Sequence, residues 1–373
     1  MMHVVFLTAK PVHVVFSAML ASHFGRHVNS HLLQASRYEG FNALATLVPG
    51  FESRVAFHTP GYGVRAGRKF RERNARDMGL IIKHLDGIRP DVLFMFSISK
   101  PLNREVSDHV RRAFGTKVIF LEVSNSIHTT LSSPRLSPLR RLFRLSPPLA
   151  RLDACMVRRP EKMPAWFTSK CHVSSLPPGI FRKSVADTIL NAWGQGGYSA
   201  RDVMPNKVIL YLGSAPGRKN HAAVMSAESE CLRELASCCE NMNATLVLKP
   251  HPRLTDELPL PTESQSFKLH EDAALPGELL PGLYDIAGVV TIDSSAAQNL
   301  NFLYGIPAAY VYPMFEVEGL YLPSFKHEVL IQSSSDLKYF ARDCLSVVPP
   351  GDHVAPADSS GTCKGWLRDI GLA

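Results

Sequence analysis

The sequence lacks a long apolar run. Nowhere in its 373 residues is there an uninterrupted stretch of the roughly 18 to 20 apolar residues that a membrane-spanning helix requires. Residues 1–30 are apolar, but Lys10, Pro11 and His13 interrupt them and no convincing signal-peptide cleavage site follows. We therefore expect a protein that is neither secreted nor membrane-spanning, located in the cytoplasm.

Cysteines with metal-ligand spacing are also missing. The cysteines are seven in number, and Cys238 and Cys239 are adjacent in a helix-like segment, so they point in different directions. The full set is Cys155, Cys171, Cys231, Cys238, Cys239, Cys344 and Cys363. We expect all of them to be reduced thiols, and we expect neither a metal site nor a cofactor.

Two common phosphate-binding motifs are absent. The sequence contains neither the G-x-G-x-x-G spacing of dinucleotide enzymes nor the G-x-x-x-x-G-K-[ST] loop of P-loop NTPases. Neither class is therefore supported. Any nucleotide site in this chain must be built from other residues.

Acidic residues do not balance the basic ones, and the formal net charge is +8. Much of the excess lies in segment 135–159, where arginines occur among Pro, Leu and Phe. They are Arg135, Arg140, Arg141, Arg144, Arg151, Arg158 and Arg159. Such a segment suits an anionic membrane surface, at the inner face of the membrane, or an acidic polymer; a solvated loop is the alternative. Nucleic acid is not expected, because no helix-turn-helix, zinc-finger or aromatic-basic pattern is present.

Short apolar runs alternate with amphipathic stretches, which indicates βαβ units and a parallel sheet. In the first half, the expected strands are 4–7, 43–48, 91–96, 117–122 and 154–157. The helices expected there are 14–24, 69–85 and 103–114. In the second half, strands are expected at 207–212, 245–249, 286–291 and 308–312, and helices at 221–240 and 296–304.

Residues 183–206 interrupt this alternation, because Gly194, Gly196, Gly197 and Pro205 favour a linker. The chain also exceeds the usual size of one hydrophobic core. The sequence therefore predicts two α/β domains, at 1–182 and 207–373, joined by this linker.

Three segments of the second half place unusual residues just after a strand, where open parallel sheets bind ligands. In the first, 248–253, His251 lies between two prolines, so its backbone is stiff. Its imidazole can hydrogen-bond to a phosphate or protonate it, and Lys249 and Arg253 add positive charge. A turn that merely contains a histidine is the alternative.

The second segment, 291–297, ends a strand and begins a helix. Ser294 and Ser295 lie where helix N-caps are favoured, and where hydroxyls and free N–H groups together bind anions. Plain helix capping by Asp293 or Ser294 is the alternative. The third segment is the glycine-bearing turn 213–217. Neighbouring strands would bring all three segments to one edge of one sheet.

The Lys249-Pro-His-Pro strand end and the Ser294-Ser295 pair that opens a helix resemble motifs of bacterial sialyltransferases. That family includes lipooligosaccharide sialyltransferases and capsular polysialyltransferases. The resemblance covers mainly residues 207–312. It implies an α/β GT-B fold, in which two Rossmann-like domains with parallel sheets face a central cleft. It also implies an inverting, metal-independent transfer of a nonulosonic acid from a CMP-activated donor to a glycan hydroxyl.

The resemblance also implies roles for individual residues. His251 would contact the CMP phosphate and act as general acid, and Ser294 and Ser295 would bind that phosphate. Domain 1–182 would bind the glycan acceptor and domain 207–373 the nucleotide sugar. The further candidates for donor binding are Gly213, Ser214, Lys249 and Pro252.

The family has a third motif, two acidic residues followed by glycine, which supplies the general base. This sequence has no such triplet. Glu122, at the end of the expected strand 117–122, is the nearest match, although Val123 and Ser124 replace the second acid and the glycine. We expect Glu122 to face the cleft and act as the base; a structural partner for this carboxylate is the alternative.

Three other acidic residues are candidate donor contacts. Asp293 precedes the serine pair, and Glu316 and Glu318 follow the last expected strand of the second domain. For the two glutamates, a solvated acidic loop is the alternative.

Two other functions remain open. One is a capsule- or teichoic-acid-type transferase that uses CMP-Kdo or a CDP- or UDP-linked donor. The other is a non-catalytic domain that binds an anionic polysaccharide, lipid or nucleic acid through 135–159, with binding that depends strongly on salt.

Overall fold

The computed structural model describes residues 1–36, 44–58, 68–123, 127, 131, 149–177, 180–181, 183–194, 206–214, 221–252, 264–315 and 327–346. The described residues form two compact units, one up to Trp193 and one from Gly194 onwards.

The described strands of the first unit form one parallel sheet. In chain order they are β1 (Met2–Thr8), β2 (Val28–Ser36), β3 (Ser53–His58), β4 (Val92–Met95), β5 (Lys117–Leu121), β6 (Ala154–Val157) and β7 (His172–Ser175). Their order across the sheet is β3-β2-β1-β4-β5-β6-β7. All neighbours are parallel, and the central strands are buried.

The helices of the first unit cover this sheet. The described ones are α1 (Pro11–Ala21), α2 (Arg68–Ile88), α3 (Pro101–Phe114), α4 (Ala165–Thr168) and α5 (Lys183–Gly194), with a helical turn at 44–47 and a 3-10 turn at Pro160–Lys162. Helix α3 shows how the sequence sets such an element. Proline occupies its first turn, Leu102, Val106 and Val110 form its buried face, and Gly115 ends it with a φ of 70°.

The second unit has a parallel sheet of its own. Its described strands are β8 (Val208–Leu212), β9 (Thr245–Lys249), β10 (Phe267–Leu269), β11 (Ile286–Thr291), β12 (Ala308–Tyr310) and β13 (Glu328–Leu330). Their order is β10-β9-β8-β11-β12-β13. The accompanying helices are α6 (His221–Asn241), α7 (Ser295–Tyr304) and α8 (Ser334–Ser346), with a 3-10 turn at Gly277–Gly282.

Both sheets share one plan. Numbered within each unit, the first six strands run in the order 3-2-1-4-5-6, which is that of dinucleotide-binding Rossmann folds, and the first sheet adds β7 at its edge. In each sheet the strand order reverses between the first and fourth strands, β1 and β4 or β8 and β11. These reversal points are where open α/β sheets bind ligands. The expectation of an α/β fold with two Rossmann-like parallel sheets is confirmed.

Several local expectations differ from the structure. Residues 44–47 are helical rather than part of a strand at 43–48, because Leu44, Ala45 and Val48 are buried at helical spacing. Helix α5 occupies the first half of the expected linker, where Ala186, Ile189 and Leu190 form one buried face. Residues 195–205 lie outside the described part. The domain limits stay predictions.

None of the described helices is both long enough and apolar enough to cross a bilayer.

Candidate functional site

Three loops leave the second sheet side by side. Leu212, the last residue of β8, is paired in register with Lys249 at the end of β9 and with Thr291 at the end of β11. The chain therefore continues from these three strands at the same level of the same sheet edge. The point between β8 and β11 is the reversal point of this unit, so the three segments singled out in the sequence meet where a ligand is expected.

Gly213 packs directly against the loop that carries His251. Its N–H donates to the carbonyl oxygen of Lys249 at 2.9 Å. A Cβ at this position would lie 3.3 Å from the backbone nitrogen of His251 and 3.4 Å from the Cα of Pro250. Glycine is required here because the two backbones approach so closely. His251 and the adjoining Pro252 are partly exposed at this edge, and Arg253 lies outside the described residues.

Lys249 is buried rather than presented to a ligand, with 5% of its surface exposed. Its Nζ donates to the carbonyl oxygens of Ala273, at 2.9 Å, and Pro250, at 3.3 Å. Burial lowers the pKa of Lys249 to about 8, although Glu278 and Asp272 nearby oppose that shift. Its side chain thus ties the loop of His251 to the loop that follows β10.

The serine pair forms the start of α7. Ser294 is the N-cap, with extended backbone, and its hydroxyl accepts from the N–H of Ala296 at 3.3 Å. Ser295 is the first helical residue, and both serines are partly exposed. A Cβ on Gly277 would lie 3.3 Å from that of Ala296, so the 3-10 turn packs closely on the first turn of α7. Ser294 thus caps α7 by accepting a hydrogen bond, and its own hydroxyl proton can still be donated to an anion.

Asp293 is buried next to the first turn of α7 and is held by a hydrogen bond to Thr291. It is 5% exposed, and its N–H donates to Oγ1 of Thr291 at 3.2 Å. The hydroxyl of Thr291 in turn donates to the carbonyl oxygen of Leu212 at 2.8 Å, joining the ends of β11 and β8. Burial, with the charge of Asp293 nearby, raises the pKa of Tyr312.

Sequence reasoning missed one acidic residue at this edge. The N–H of Ser214 donates to Oε1 of Glu228 at 2.7 Å, and Glu228, on α6, is 1% exposed. The Ser214 hydroxyl oxygen is buried and has no hydrogen-bond partner among the described residues. The signal was available, because Glu228 interrupts an apolar helical stripe between Val224 and Leu232.

A second missed group lies beside Lys249. His270 is 3% exposed, and its Nδ1 is 2.9 Å from the hydroxyl of Tyr284. Burial, followed by the nearby charge of Lys249, lowers the pKa of His270 to about 4. The imidazole is therefore neutral at physiological pH and adds no charge to the site.

Glu122 has the structural partner that the alternative reading expected. It is buried, with 1% of its surface exposed. Its Oε2 accepts the backbone N–H of Arg158 at 2.6 Å, and its Oε1 lies 3.4 Å from the guanidinium of the same arginine. The role of Glu122 as general base stays a prediction.

The basic segment 135–159 presents fewer arginines than expected. Arg158 is buried against Glu122, so its expected place on a basic surface is wrong. Nε of Arg159 lies 2.9 Å from Glu161, and Arg151 is exposed. The arginines outside the described residues are Arg135, Arg140, Arg141 and Arg144; the candidate donor contacts Glu316 and Glu318 also lie outside them.

The described residues hold no group of three or more His, Cys, Asp or Glu side chains that could bind a metal ion. All cysteines in this part of the chain are buried free thiols, and Cys363 lies outside it.

The two parallel sheets, each with a reversal of strand order, define an α/β protein with the GT-B fold. Particular solved structures share this fold at low sequence identity. One is a UDP-GlcNAc 2-epimerase from Methanocaldococcus jannaschii, with a TM-score of 0.59, 12% identity and 100% of both chains covered. Another is a UDP-GlcNAc 2-epimerase from Neisseria meningitidis bound to UDP-GlcNAc, with a TM-score of 0.55, 12% identity and 99% of both chains covered.

A third is Arabidopsis thaliana UGT89C1 complexed with UDP, with a TM-score of 0.53 and 12% identity, covering 99% of this chain and 94% of that chain. No protein-family model matches the sequence, and no curated protein matches it.

Proposed function

We propose that this protein is a glycosyltransferase that binds a nucleotide-activated sugar by its phosphate at the β8–β11 edge of the second unit. One observation carries the proposal. Leu212 is in register with both Lys249 and Thr291, so the loop of Gly213, the loop of His251 and the N-terminus of α7 share the reversal point of the sheet.

The chemistry of this edge suits a glycosyl–phosphate bond that breaks. As the bond breaks, its electron pair stays on the phosphate oxygen, so negative charge grows there. The N-terminus of α7, with the hydroxyls of Ser294 and Ser295, would stabilise that charge. His251 would donate a hydrogen bond or a proton to the departing phosphate. Donors fixed in this way typically contribute about 3 kcal/mol each to transition-state stabilisation.

The finer proposal is an inverting transfer of a nonulosonic acid from a CMP-activated donor to a glycan hydroxyl. The Lys249-Pro-His-Pro and Ser294-Ser295 motifs support it through their resemblance to bacterial sialyltransferases. In this scheme domain 207–373 binds the donor and domain 1–182 the acceptor, as in lipooligosaccharide or capsule biosynthesis. The general base is left unassigned. No metal is needed, because the helix N-terminus and His251 supply the stabilising groups.

A second candidate uses a UDP-linked sugar, as a transferase or as a sugar-nucleotide epimerase. The solved structures with the same fold favour it, since their names specify UDP-GlcNAc or UDP. Donors linked to CDP, and CMP-Kdo, belong to the same test, because all of them present a phosphate to the same edge.

Binding of free nucleotides separates these candidates. We would measure thermal stabilisation by CMP, CDP, UDP and GDP for the wild type, for His251→Ala and for His172→Ala as a matched control. His172 is an exposed histidine on β7 of the first unit. A ligand at 100 times its dissociation constant stabilises the native state by about 2.7 kcal/mol.

Stabilisation by CMP that is weakened only in His251→Ala would support a CMP-linked donor, and turnover of CMP-sialic acid against CMP-Kdo would then separate the sialyltransferase-like candidate from the other. Stabilisation by UDP or CDP would support the second candidate, and donor turnover would then be assayed with UDP-GlcNAc. If no nucleotide stabilises the wild type, the proposal fails and binding of an acidic polymer becomes the remaining function. Metal independence is checked separately by donor turnover in excess chelator.

Association with the inner face of the membrane is a separate part of the proposal. It rests on Arg135, Arg140, Arg141, Arg144 and Arg151, since Arg158 is buried against Glu122 and Arg159 lies beside Glu161. Co-sedimentation with vesicles of anionic and of neutral lipid tests it. Binding only to anionic vesicles, lost at high salt, is the expected result.

A further inference from the structure

The first unit has its own reversal point, and two helices begin there. Strands β1 and β4 are neighbours, and Leu7 is in register with Met95 near their ends. Helix α1 begins three residues after β1, and α3 begins six residues after β4. Both helices start with the same Lys-Pro step. Lys10 and Lys100 are their exposed N-cap residues, with extended backbone, and a proline follows each.

These two helix N-termini lie on opposite faces of the sheet. Leu7 and Met95 belong to the apolar cluster that includes Leu102 of α3, so that face is covered by α3. Side chains alternate along a strand, so Thr8 and Phe96 point to the other face. There the ring of His13, from the first turn of α1, stacks on Phe96 with 4.5 Å between ring centres and 11° between planes.

His13 is a buried neutral donor at this edge. It is 5% exposed, and the N–H of Ala9 donates to its Nδ1 at 3.2 Å. Burial, and then the nearby charges of Lys10 and Lys100, lower the pKa of His13 well below its usual value. Because Nδ1 accepts a hydrogen bond and the ring is neutral, its one proton is on Nε2.

Gln34 provides a second buried donor on the same face. It is in register with Thr8 and is 0% exposed. The Thr8 hydroxyl contacts Gln34 Oε1 and lies 3.1 Å from the carbonyl oxygen of Leu33. Gln34 Nε2 has no partner among the described residues. In either orientation of the amide, at least one buried N–H remains unused, and such a group costs free energy until something accepts from it.

We propose that this edge of the first unit is an anion site. A phosphate or carboxylate would lie between the N-termini of α1 and α3, accept from Nε2 of His13 and the amide of Gln34, and face the ammonium groups of Lys10 and Lys100. Neutral donors, two helix dipoles and two cations all favour negative charge at one place. The identification of the bound group as part of the acceptor rests on the proposed function; the anion site itself does not. An acceptor glycan that carries an acidic sugar or a phosphate is then the substrate class.

The test uses the full chain carrying Ser294→Ala and Ser295→Ala, so that the second unit competes less for anions. With histidine-labelled protein, inorganic phosphate and glucuronate are titrated at constant ionic strength while the Nε2–H signal of His13 is followed by NMR. His13→Gln assigns that signal. Lys10→Ala with Lys100→Ala is the test variant, and two exposed lysines elsewhere in the unit, Lys83 and Lys170, are changed to alanine as the matched control.

We expect a saturable shift of the His13 signal with phosphate, glucuronate or both, and the responsive anion identifies the acidic group. The Lys10/Lys100 variant should bind that anion about tenfold more weakly, and the control variant as tightly as the parent. No saturable shift with either anion overturns the proposal, as does equal weakening in both lysine variants. The nucleotide measurements on the wild type are unaffected by these outcomes, so the anion site of the first unit and the nucleotide site of the second are tested independently.

Discussion

Replacing Ser294 by alanine or by aspartate separates helix capping from phosphate binding. Its hydroxyl accepts the Ala296 N–H at 3.3 Å, so Ser294→Ala removes a cap and should lower the free energy of unfolding by about 1 kcal/mol. Ser294→Asp retains an acceptor and adds negative charge at a helix N-terminus, so the stability should equal or exceed that of the wild type.

For nucleotide affinity the order of the two variants reverses, and Ser294→Asp should be the weaker binder. A carboxylate about 4 Å from a phosphate repels it by roughly 4 kcal/mol at an effective dielectric constant of 20. Ser294 is partly exposed, and salt screening should reduce this to about 2 to 3 kcal/mol, or about a hundredfold in affinity. Ser294→Ala adds no repulsive charge and should weaken binding by only about tenfold, through one lost hydrogen bond to a charged group.

Urea unfolding without ligand gives the stabilities, and calorimetric titration with the preferred nucleotide gives the affinities. Ser333 offers a matched control, because it caps α8 by accepting from the Asp336 N–H at 3.2 Å and lies beyond β13, two strands from β11. Ser333→Ala should lose similar stability and keep its affinity. If Ser294→Asp binds nucleotide as tightly as the wild type, the phosphate does not lie at the N-terminus of α7.

Three further changes test other parts of the structure. Gly213→Ala places a Cβ 3.3 Å from the His251 backbone nitrogen and should weaken nucleotide affinity about tenfold, whereas unchanged affinity in a titration would contradict this close packing. Arg158→Met leaves the Glu122 carboxylate buried without its guanidinium and should cost about 3 to 5 kcal/mol of unfolding free energy. Adding Glu122→Gln should restore most of that stability. A loss below about 1 kcal/mol for Arg158→Met, measured by urea unfolding, would refute the ion pair. His270 takes up a proton near its usual pKa in the unfolded chain but only near 4 in the folded chain, so the free energy of unfolding should fall as pH drops from about 6.5 to 4. If a His270→Phe variant shows an equally steep pH dependence, His270 is not its source.

The sequence was most informative where strands are buried on both faces. Strands β8, β9 and β11 appear as continuous apolar runs, and their limits were predicted within one residue. Strand β2 was missed because His31 and Gln34 interrupt its apolar pattern, although the fold buries both. The short strands β3, β7, β10 and β13 were missed for a related reason, since partly exposed strands carry polar residues.

The candidate site divides in the same way. That three loops would meet was predictable, because parallel strands end at a common edge. The direction of a side chain was not, because Lys249 bonds to a carbonyl 24 residues away and Glu122 to an arginine 36 residues away. Such partners are set by packing between elements, which local sequence patterns do not record.

The strand order of the two sheets has a consequence for synthesis on the ribosome. In each unit the strand made first becomes an interior strand of the sheet, and one of its neighbours is made fourth. Strand Met2–Thr8 waits for Val92–Met95, which at typical elongation rates takes on the order of ten seconds. During that time an apolar strand edge is open to pairing with another nascent chain. A chaperone that shields strand edges for seconds should therefore raise the yield of folded protein more than a change to the mature surface does.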